Sequence, residues 1–234
     1  MTFTPFASSS AGCAYALTEE GHDPLLIECG LPFRHLAAHM RHRTSQLAGC
    51  IVSHAHADHA KAARQLADRG VAVYCSQEAK ASIDPTHPDI LAIEPDVLLH
   101  VGGWRVHPFA AGSDTPGTYG FLIASAREDR LLYVTDAAYV VPRFAGLTHI
   151  AIETNHDRDL IRQDVTSPHF AHVVAGHMSI DRACELLEAN DLRRVREIHL
   201  LHLSDDHSDE EAFASRVRKV TGCPTYVAPR ETRP

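Results

Sequence analysis

Six consecutive residues carry four side chains of the kind that bind divalent cations: His54, His56, Asp58 and His59, in the order His-Ala-His-Ala-Asp-His. Imidazole nitrogens and carboxylate oxygens suit zinc, and equally manganese or iron. Gly49–Ser53 ahead of them is apolar and of strand length, and Ala62, Ala63 and Leu66 behind them recur at helical spacing until Gly70. The four donors therefore crowd one strand-to-helix turn. In an extended turn His54 and His56 face the same way, while Asp58 and His59 open the helix and point to an adjacent spot. That spacing suits two neighbouring cations better than one. The competing reading is a solvated polar turn with Asp58 as the helix N-cap. Even with 18 histidines in the chain, the pattern arises by chance on the order of once in a few hundred such sequences, which favours the metal.

Other candidates lie further along. Asp136 follows the apolar stretch Leu131–Thr135, and His202 sits within Ile198–Leu203. Taken alone, the first reads as a turn or cap residue and the second as a hydrogen-bonded core histidine. His156 and His177 are candidates for contacting a substrate phosphate or protonating a leaving oxygen; the alternative for each is a surface or supporting histidine. Ser8–Ser10 reads as a strand edge or a phosphate-contacting turn. No serine, cysteine or lysine is placed as a covalent nucleophile.

The elements that must position these residues alternate between strand and helix. Ala14–Leu17 and Leu25–Glu28 flank a polar loop, Thr18–Asp23, as a hairpin. Pro32 opens a helix with Phe33, Leu36 and Met40 on one face. Val71–Cys75 is the next strand, and Ala81–Pro95, with three prolines, wanders over the surface. Trp104–Phe109, Tyr119–Ile123, Leu131–Thr135 and Thr148–Ile152 are strands. Ser179 starts a helix with Ile180, Ala183, Leu186 and Leu187 inward. Ile198–Leu203 is a strand, Ser208 with Glu211 is a capping box for a last helix bearing Phe213, Val217 and Val220, and Thr225–Ala228 ends the pattern. Interleaving of this kind predicts a layered α/β architecture with polar clusters at strand ends. Periodicity alone does not choose between an open doubly wound sheet and a four-layer sandwich.

Length and charge narrow the class. The 234 residues, 44% hydrophobic and 22% charged, fit one soluble domain spanning residues 1–234. Met1–Ala11 lacks the charged and apolar regions of a signal peptide, and no apolar run is long enough for a membrane span. Six scattered cysteines without a C-x-x-C pair read as buried, reduced thiols in a cytoplasmic protein. A formal net charge of −8 gives no general attraction to nucleic acid, although a locally basic groove is compatible with it. Oligomeric state is not readable.

With the motif in hand, the chain resembles the metallo-β-lactamase superfamily, whose hallmark is H-x-H-x-D-H after a strand. Within it, the chain is most similar to the WalJ/YycJ-type group, regarded as DNA exonucleases. Ser8-Ser9-Ser10-Ala11-Gly12-Cys13-Ala14-Tyr15 is similar to that group's S-S-G-N-C-Y, and Leu25-Leu26-Ile27-Glu28-Cys29-Gly30 to its L-L-I-D-x-G. Val134-Thr135-Asp136 stands for its T-D step, and Ile152-Glu153-Thr154-Asn155-His156-Asp157 for E-S-N-H-D. Gly176-His177-Met178-Ser179 and Leu201-His202-Leu203-Ser204 stand for G-H-L-S and A-H-L-S.

The resemblance implies a four-layer αββα sandwich and a site for two cations, zinc or manganese. His54 and His56 would hold the first, Asp58, His59 and His202 the second, and Asp136 would bridge them. Asp58 would also orient the attacking water. Two departures stand out. Ser113 occupies the place of a histidine that usually serves the first cation, which leaves that site weak, completed by His156 or His177, or replaced by a mononuclear site at Asp58, His59, Asp136 and His202. Glu28 replaces a supporting aspartate. The expected reaction is hydrolysis of a phosphodiester, with DNA as substrate. A small cyclic nucleotide or a carbonyl compound (lactam, thioester, lactone) is the rival, and a metal-binding protein without turnover is the reading from another class.

Overall fold

In the computed structural model, which describes residues 1–141, 143–161 and 168–231, the strands form two sheets. The first holds β1 (Thr2–Ser9), β2 (Gly12–Thr18), β3 (Leu25–Ile27), β4 (Gly49–Ile51), β5 (Val73–Cys75) and β6 (Ile90–Ala92), in that spatial order. β1 to β3 are antiparallel neighbours, and β3 to β6 run parallel. The second holds β7 (Leu99–Val101), β8 (Trp104–Ala110), β9 (Tyr119–Ala124), β10 (Arg130–Val134), β11 (His149–Glu153), β12 (Glu197–Leu201) and β13 (Thr225–Val227), also in chain order. Here β7 to β10 are antiparallel and β10 to β13 parallel.

Helices connect the parallel strands other than β10 and β11. Those of the first half are α1 (Phe33–His39), α2 (Ala57–Ala60), α3 (Ala63–Ala67) and α4 (Gln77–Ile83). Those of the second are α5 (Arg158–Ile161), α6 (Pro168–Gly176), α7 (Ile180–Glu188) and α8 (Glu210–Thr221). Successive side chains of a strand point to opposite faces, and this sorts the apolar residues into three cores. Cys13, Tyr15, Leu25, Ile27 and Ile51 meet Trp104, Phe121, Leu131 and Tyr133 between the sheets. Their neighbours Ala14, Leu26, Cys50 and Val52 face outward beneath Leu36, Ala63 and Leu66. Leu132, Val134, Ile150, Ile152 and Ile198 do the same beneath Ile180, Ala183, Leu187, Phe213 and Val217. Each fully buried leucine, isoleucine or phenylalanine contributes roughly 1.5–3 kcal/mol. Strands covered on both faces read as continuous apolar runs, which is why periodicity left two architectures open. The outcome is the αββα sandwich.

Several local expectations are corrected. The Ala81–Pro95 stretch is not a surface excursion. It holds the end of α4, whose N-cap Ser76 accepts a hydrogen bond from Ala79 N at 3.1 Å, and β6, whose Ile90 is fully buried beside β5. The helix after the histidine cluster is two short pieces, α2 and α3. The last helix is capped by Asp209, which accepts from Ala212 N at 2.9 Å, while Ser208 donates to Ser204 O. Gly222, at φ +69°, ends that helix in the left-handed region open to glycine. Ser179 caps α7 as expected. β1, β7, α5 and α6 were not visible in the pattern. All six cysteines are buried and unpaired, and among the described residues no helix is long and apolar enough to cross a membrane.

Both sheets bring their candidate ligands to one edge. The carboxyl ends of β1, β3, β4, β10, β11 and β12 and the start of β2 converge there, the place where parallel sheets carry their sites. Gly30 is needed at this edge, since a Cβ would fall 1.7 Å from the carbonyl oxygen of Asp58. Its absence lets the turn after β3 press against the start of α2.

Candidate metal centre

The backbone bends where the donors project. Glu28, Asp136 and His202 stand just past β3, β10 and β12 with φ of 59°, 47° and 52°. Non-glycine residues rarely occupy this region, and each such residue costs of order 1–3 kcal/mol. The turn breaks the strand's alternation at the edge, so the side chains gather instead of parting to opposite faces. His202 thus lies beyond β12, not within it as the apolar run suggested.

His54 Nε2 and His56 Nδ1 are 3.0 Å apart, and His54 Nε2 lies 3.6 Å from Asp136 Oδ2. The same Asp136 oxygen is 3.5 Å from His59 Nε2. His59 Nε2 and His202 Nε2 each stand 3.5 Å from Asp58 Oδ2, and His202 Nδ1 stands 3.4 Å from Asp136 Oδ1. Two sets of potential ligand atoms result, each within 4.8 Å of one another: His54, His56 and Asp136, and Asp58, His59, Asp136 and His202. Asp136 is common to both.

The donors are held from behind. Ser53 Oγ and His54 Nδ1 share a hydrogen bond of 2.9 Å. Glu28, fully buried, accepts from Ser53 N at 3.2 Å and from the Tyr133 hydroxyl at 3.1 Å, and its Oε2 lies 3.5 Å from His59 Nδ1. Thr135 Oγ1 donates to Asp136 Oδ1. Ser8 Oγ accepts the His202 N–H at 2.9 Å and pairs with the Tyr15 hydroxyl, while Asn155 donates to His202 O. Ser8 therefore ties β1 to the end of β12 across the two sheets.

The electrostatics are those of a site that wants positive charge. Burial would raise the carboxyl groups of Asp58 and Asp136, yet His202 and His59 hold both well below the ordinary carboxylate range. Burial would lower His59 and His202, yet Asp136, Cys13 and other neighbours push both well above a free imidazole. His54 is driven down to about 3, mainly by burial and then by His59. Neither ring nitrogen of the buried His59 has a hydrogen-bond partner, and neither does Nε2 of His202. Buried polar atoms without partners are rare unless something else satisfies them. Imidazole and carboxylate donors of this count and spacing fit one or two divalent cations.

The remaining sequence candidates fall in different places. Asp58 lies inside α2, where His56 holds the cap position without a side-chain cap bond, so the capping alternative does not describe it. His177 Nδ1 is 2.7 Å from Glu153 Oε1, and the two, with Asp136 and His202, form a further group of potential ligands. Glu153 is fully buried, accepts from Ala137 N and Met178 N, and also lies 3.1 Å from His202 Nδ1. Burial is the largest single influence on His177 and lowers it, yet the Glu153 charge, the Glu153 hydrogen bond and Asp136 together raise it above its ordinary value. His156 is buried and joins no group of potential ligands among the described residues. It lines a neighbouring cavity of about 250 Å³ with Arg158, Phe170, His177, Ser179 and Arg182. Ser113 Oγ accepts from Thr115 N in a turn of its own, and neither His156 nor His177 joins His54 and His56 in its stead. Glu153 was not singled out in the sequence, and an acidic residue ending an otherwise apolar strand was the available signal. A cavity of about 500 Å³ opens above the donors, lined by His56, Asp58, Asp136, His177, Asp205 and Asp206 among others.

Comparison with known proteins gives the family and the fold. Residues 24–203 match the family described as the beta-lactamase superfamily domain. The chain is 25% identical over 238 residues to the exodeoxyribonuclease YycJ of Bacillus anthracis, across 93% of this chain and 88% of that protein. Its structure is similar to the metallo-β-lactamase fold protein YhfI of Bacillus subtilis, with a TM-score of 0.75 at 17% identity over 98% of this chain and 97% of the other. It is also similar to a diphosphatase of the PhnP family, with a TM-score of 0.68 at 16% identity over 98% and 95%.

Proposed function

Since the chain belongs to the β-lactamase superfamily and has the metallo-β-lactamase fold, we propose that it is a metal-dependent phosphodiesterase that degrades DNA from an end. The observation that carries the hydrolytic part is the position of Asp136, whose Oδ2 lies 3.6 Å from His54 Nε2 and 3.5 Å from His59 Nε2. In this reading His54 and His56 would hold one cation and Asp58, His59 and His202 a second, with Asp136 available to either. Zinc or manganese bound there would acidify a water and polarise a phosphoryl oxygen.

The chain's own groups do the rest. Asp58, partly open to the cavity, orients the attacking water with the oxygen it does not share with His59 and His202. Glu153 raises His177 above its ordinary value, and His177 lines the same cavity as Asp58 and Asp136. His177 is thus the group placed to give a proton to the leaving oxygen. His156, with Arg158 and Arg182, faces the adjoining cavity and serves substrate phosphate there. The DNA assignment rests on the likeness to the Bacillus anthracis exodeoxyribonuclease. A second reading, a small phosphodiester such as a cyclic nucleotide, is favoured by Asp205 and Asp206 at the cavity and by the net charge of −8.

Pure protein loaded with Zn²⁺ or Mn²⁺ and incubated with end-labelled duplex DNA, bis-p-nitrophenyl phosphate, a cyclic nucleotide and a lactam tests the proposal. Release of nucleotides from the labelled end is expected. Turnover of the lactam with every phosphodiester intact would overturn it, and full metal occupancy without turnover of any substrate would favour a binding protein.

A further inference from the structure

Cys13 is the second residue of β2, at the edge where the donors gather. Its Sγ and one ring nitrogen each of His59 and His202 all lie within 4.8 Å of one another. The thiol is fully buried and donates a long hydrogen bond, 3.5 Å, to Ser9 O. Both imidazoles beside it carry nitrogens without hydrogen-bond partners, His59 at both positions and His202 at Nε2. The arrangement is fixed by backbone. Gly30 N donates to Cys13 O at 2.8 Å, Cys29 N donates to His59 O at 2.7 Å, and Ala62 N donates to Cys29 O at 2.9 Å. These bonds tie the backbone of β2 to the turn after β3 and to α2, so Cys13 and His59 are held side by side. The other five cysteines join no such group among the described residues.

We propose that Cys13 is a ligand of the cation held by His59 and His202, giving the centre one sulfur donor. The inference rests on the metal-centre reading above. On binding, a sulfur–metal bond forms and the thiol proton passes to solvent, one proton for this donor, with no change of oxidation state. Sulfur is a soft ligand, so this position prefers zinc, cobalt or cadmium to manganese or magnesium, whereas the same site without sulfur would discriminate less. The thiol thereby decides which ion the protein keeps.

Absorption spectroscopy of the Co²⁺-loaded protein tests the proposal. The wild-type chain should show visible ligand-field bands together with a near-ultraviolet thiolate-to-cobalt charge-transfer band, and Cys13→Ser should keep the first and lose the second. In competition titrations Cys13→Ser should lower the zinc-to-manganese affinity ratio at least on the order of tenfold. Should Cys13→Ser fail to fold, zinc X-ray absorption on the unmodified protein decides, with a sulfur scatterer expected at about 2.3 Å. Ligand-field bands without charge transfer, or a zinc shell of nitrogen and oxygen alone, would overturn the role of Cys13 and leave the metal centre standing. Failure to bind either ion would bring down the metal-centre reading itself, and this inference with it.

Discussion

Oε2 of Glu28 stands 3.5 Å from Nδ1 of His59, and neither side chain reaches solvent. Ser53 N and the Tyr133 hydroxyl hold the carboxylate in place, so the imidazole is pinned with Nε2 toward Asp58 and Asp136. Outer partners of this kind orient a ligand and raise its basicity. Glu28→Gln preserves the shape and removes the charge. Affinity for the cation at His59 should fall roughly 10–100-fold, read by chelator competition, while circular dichroism stays unchanged. Equal affinity in the two proteins would contradict the role.

His59→Ala removes a donor that stands between two carboxylates. Elemental analysis should find the second cation lost. With an ion's contribution of several kcal/mol gone, kcat should drop by roughly two orders of magnitude or more. Retained turnover would refute the assignment.

Ser113→His addresses the other half of the centre. His54, His56 and Asp136 supply three donors there, and a fourth from the turn after β8 should tighten that cation on the order of tenfold. Unchanged affinity for the first ion would show that this turn does not reach the centre.

Glu153→Gln tests the proton donor. Glu153, with a smaller contribution from Asp136, raises His177 above the ordinary histidine value of about 6.5. A donor acts while protonated, so the rate holds below the His177 pKa and falls as pH rises through it. Without the Glu153 charge, burial dominates and pulls His177 down, so the alkaline limb of the pH–rate profile should move to lower pH. On the alkaline side kcat should fall on the order of a hundredfold. A limb that does not move would assign the proton to another group.

The parts legible in the sequence were those whose meaning is local. His54, His56, Asp58 and His59 declare themselves because one turn holds all four. The inward and outward faces of Leu25–Ile27 and Leu131–Val134 follow from alternation once the sheets are known. The two-sheet arrangement came from the ordered motifs, since strands buried on both faces lose their period. Asp136 and His202 carried no signal of their own beyond that order. Their left-handed backbone and the register that sets Glu153 opposite Leu201 exist only in three dimensions. The same holds for Cys13, whose neighbours His59 and His202 are far away along the chain. Proline hid β6, because Pro85, Pro88 and Pro95 flank a strand whose interior has none. At α8, Asp209 outcompeted Ser208 for the cap one residue later.

The centre is a joint. Ser8, Cys13, Glu28 and the histidine turn hang from one sheet, and Asp136, Glu153 and His202 from the other, so a cation bound there would grip both halves like a rivet. Only a chain whose halves have closed can hold it. By linkage, free ion at a hundred times its dissociation constant steadies the closed form by about 2.7 kcal/mol. A cell starved of the metal would therefore lose more than turnover. The seam where Tyr15 meets the edge of Tyr133 would part more readily, and the protein would be offered to proteases.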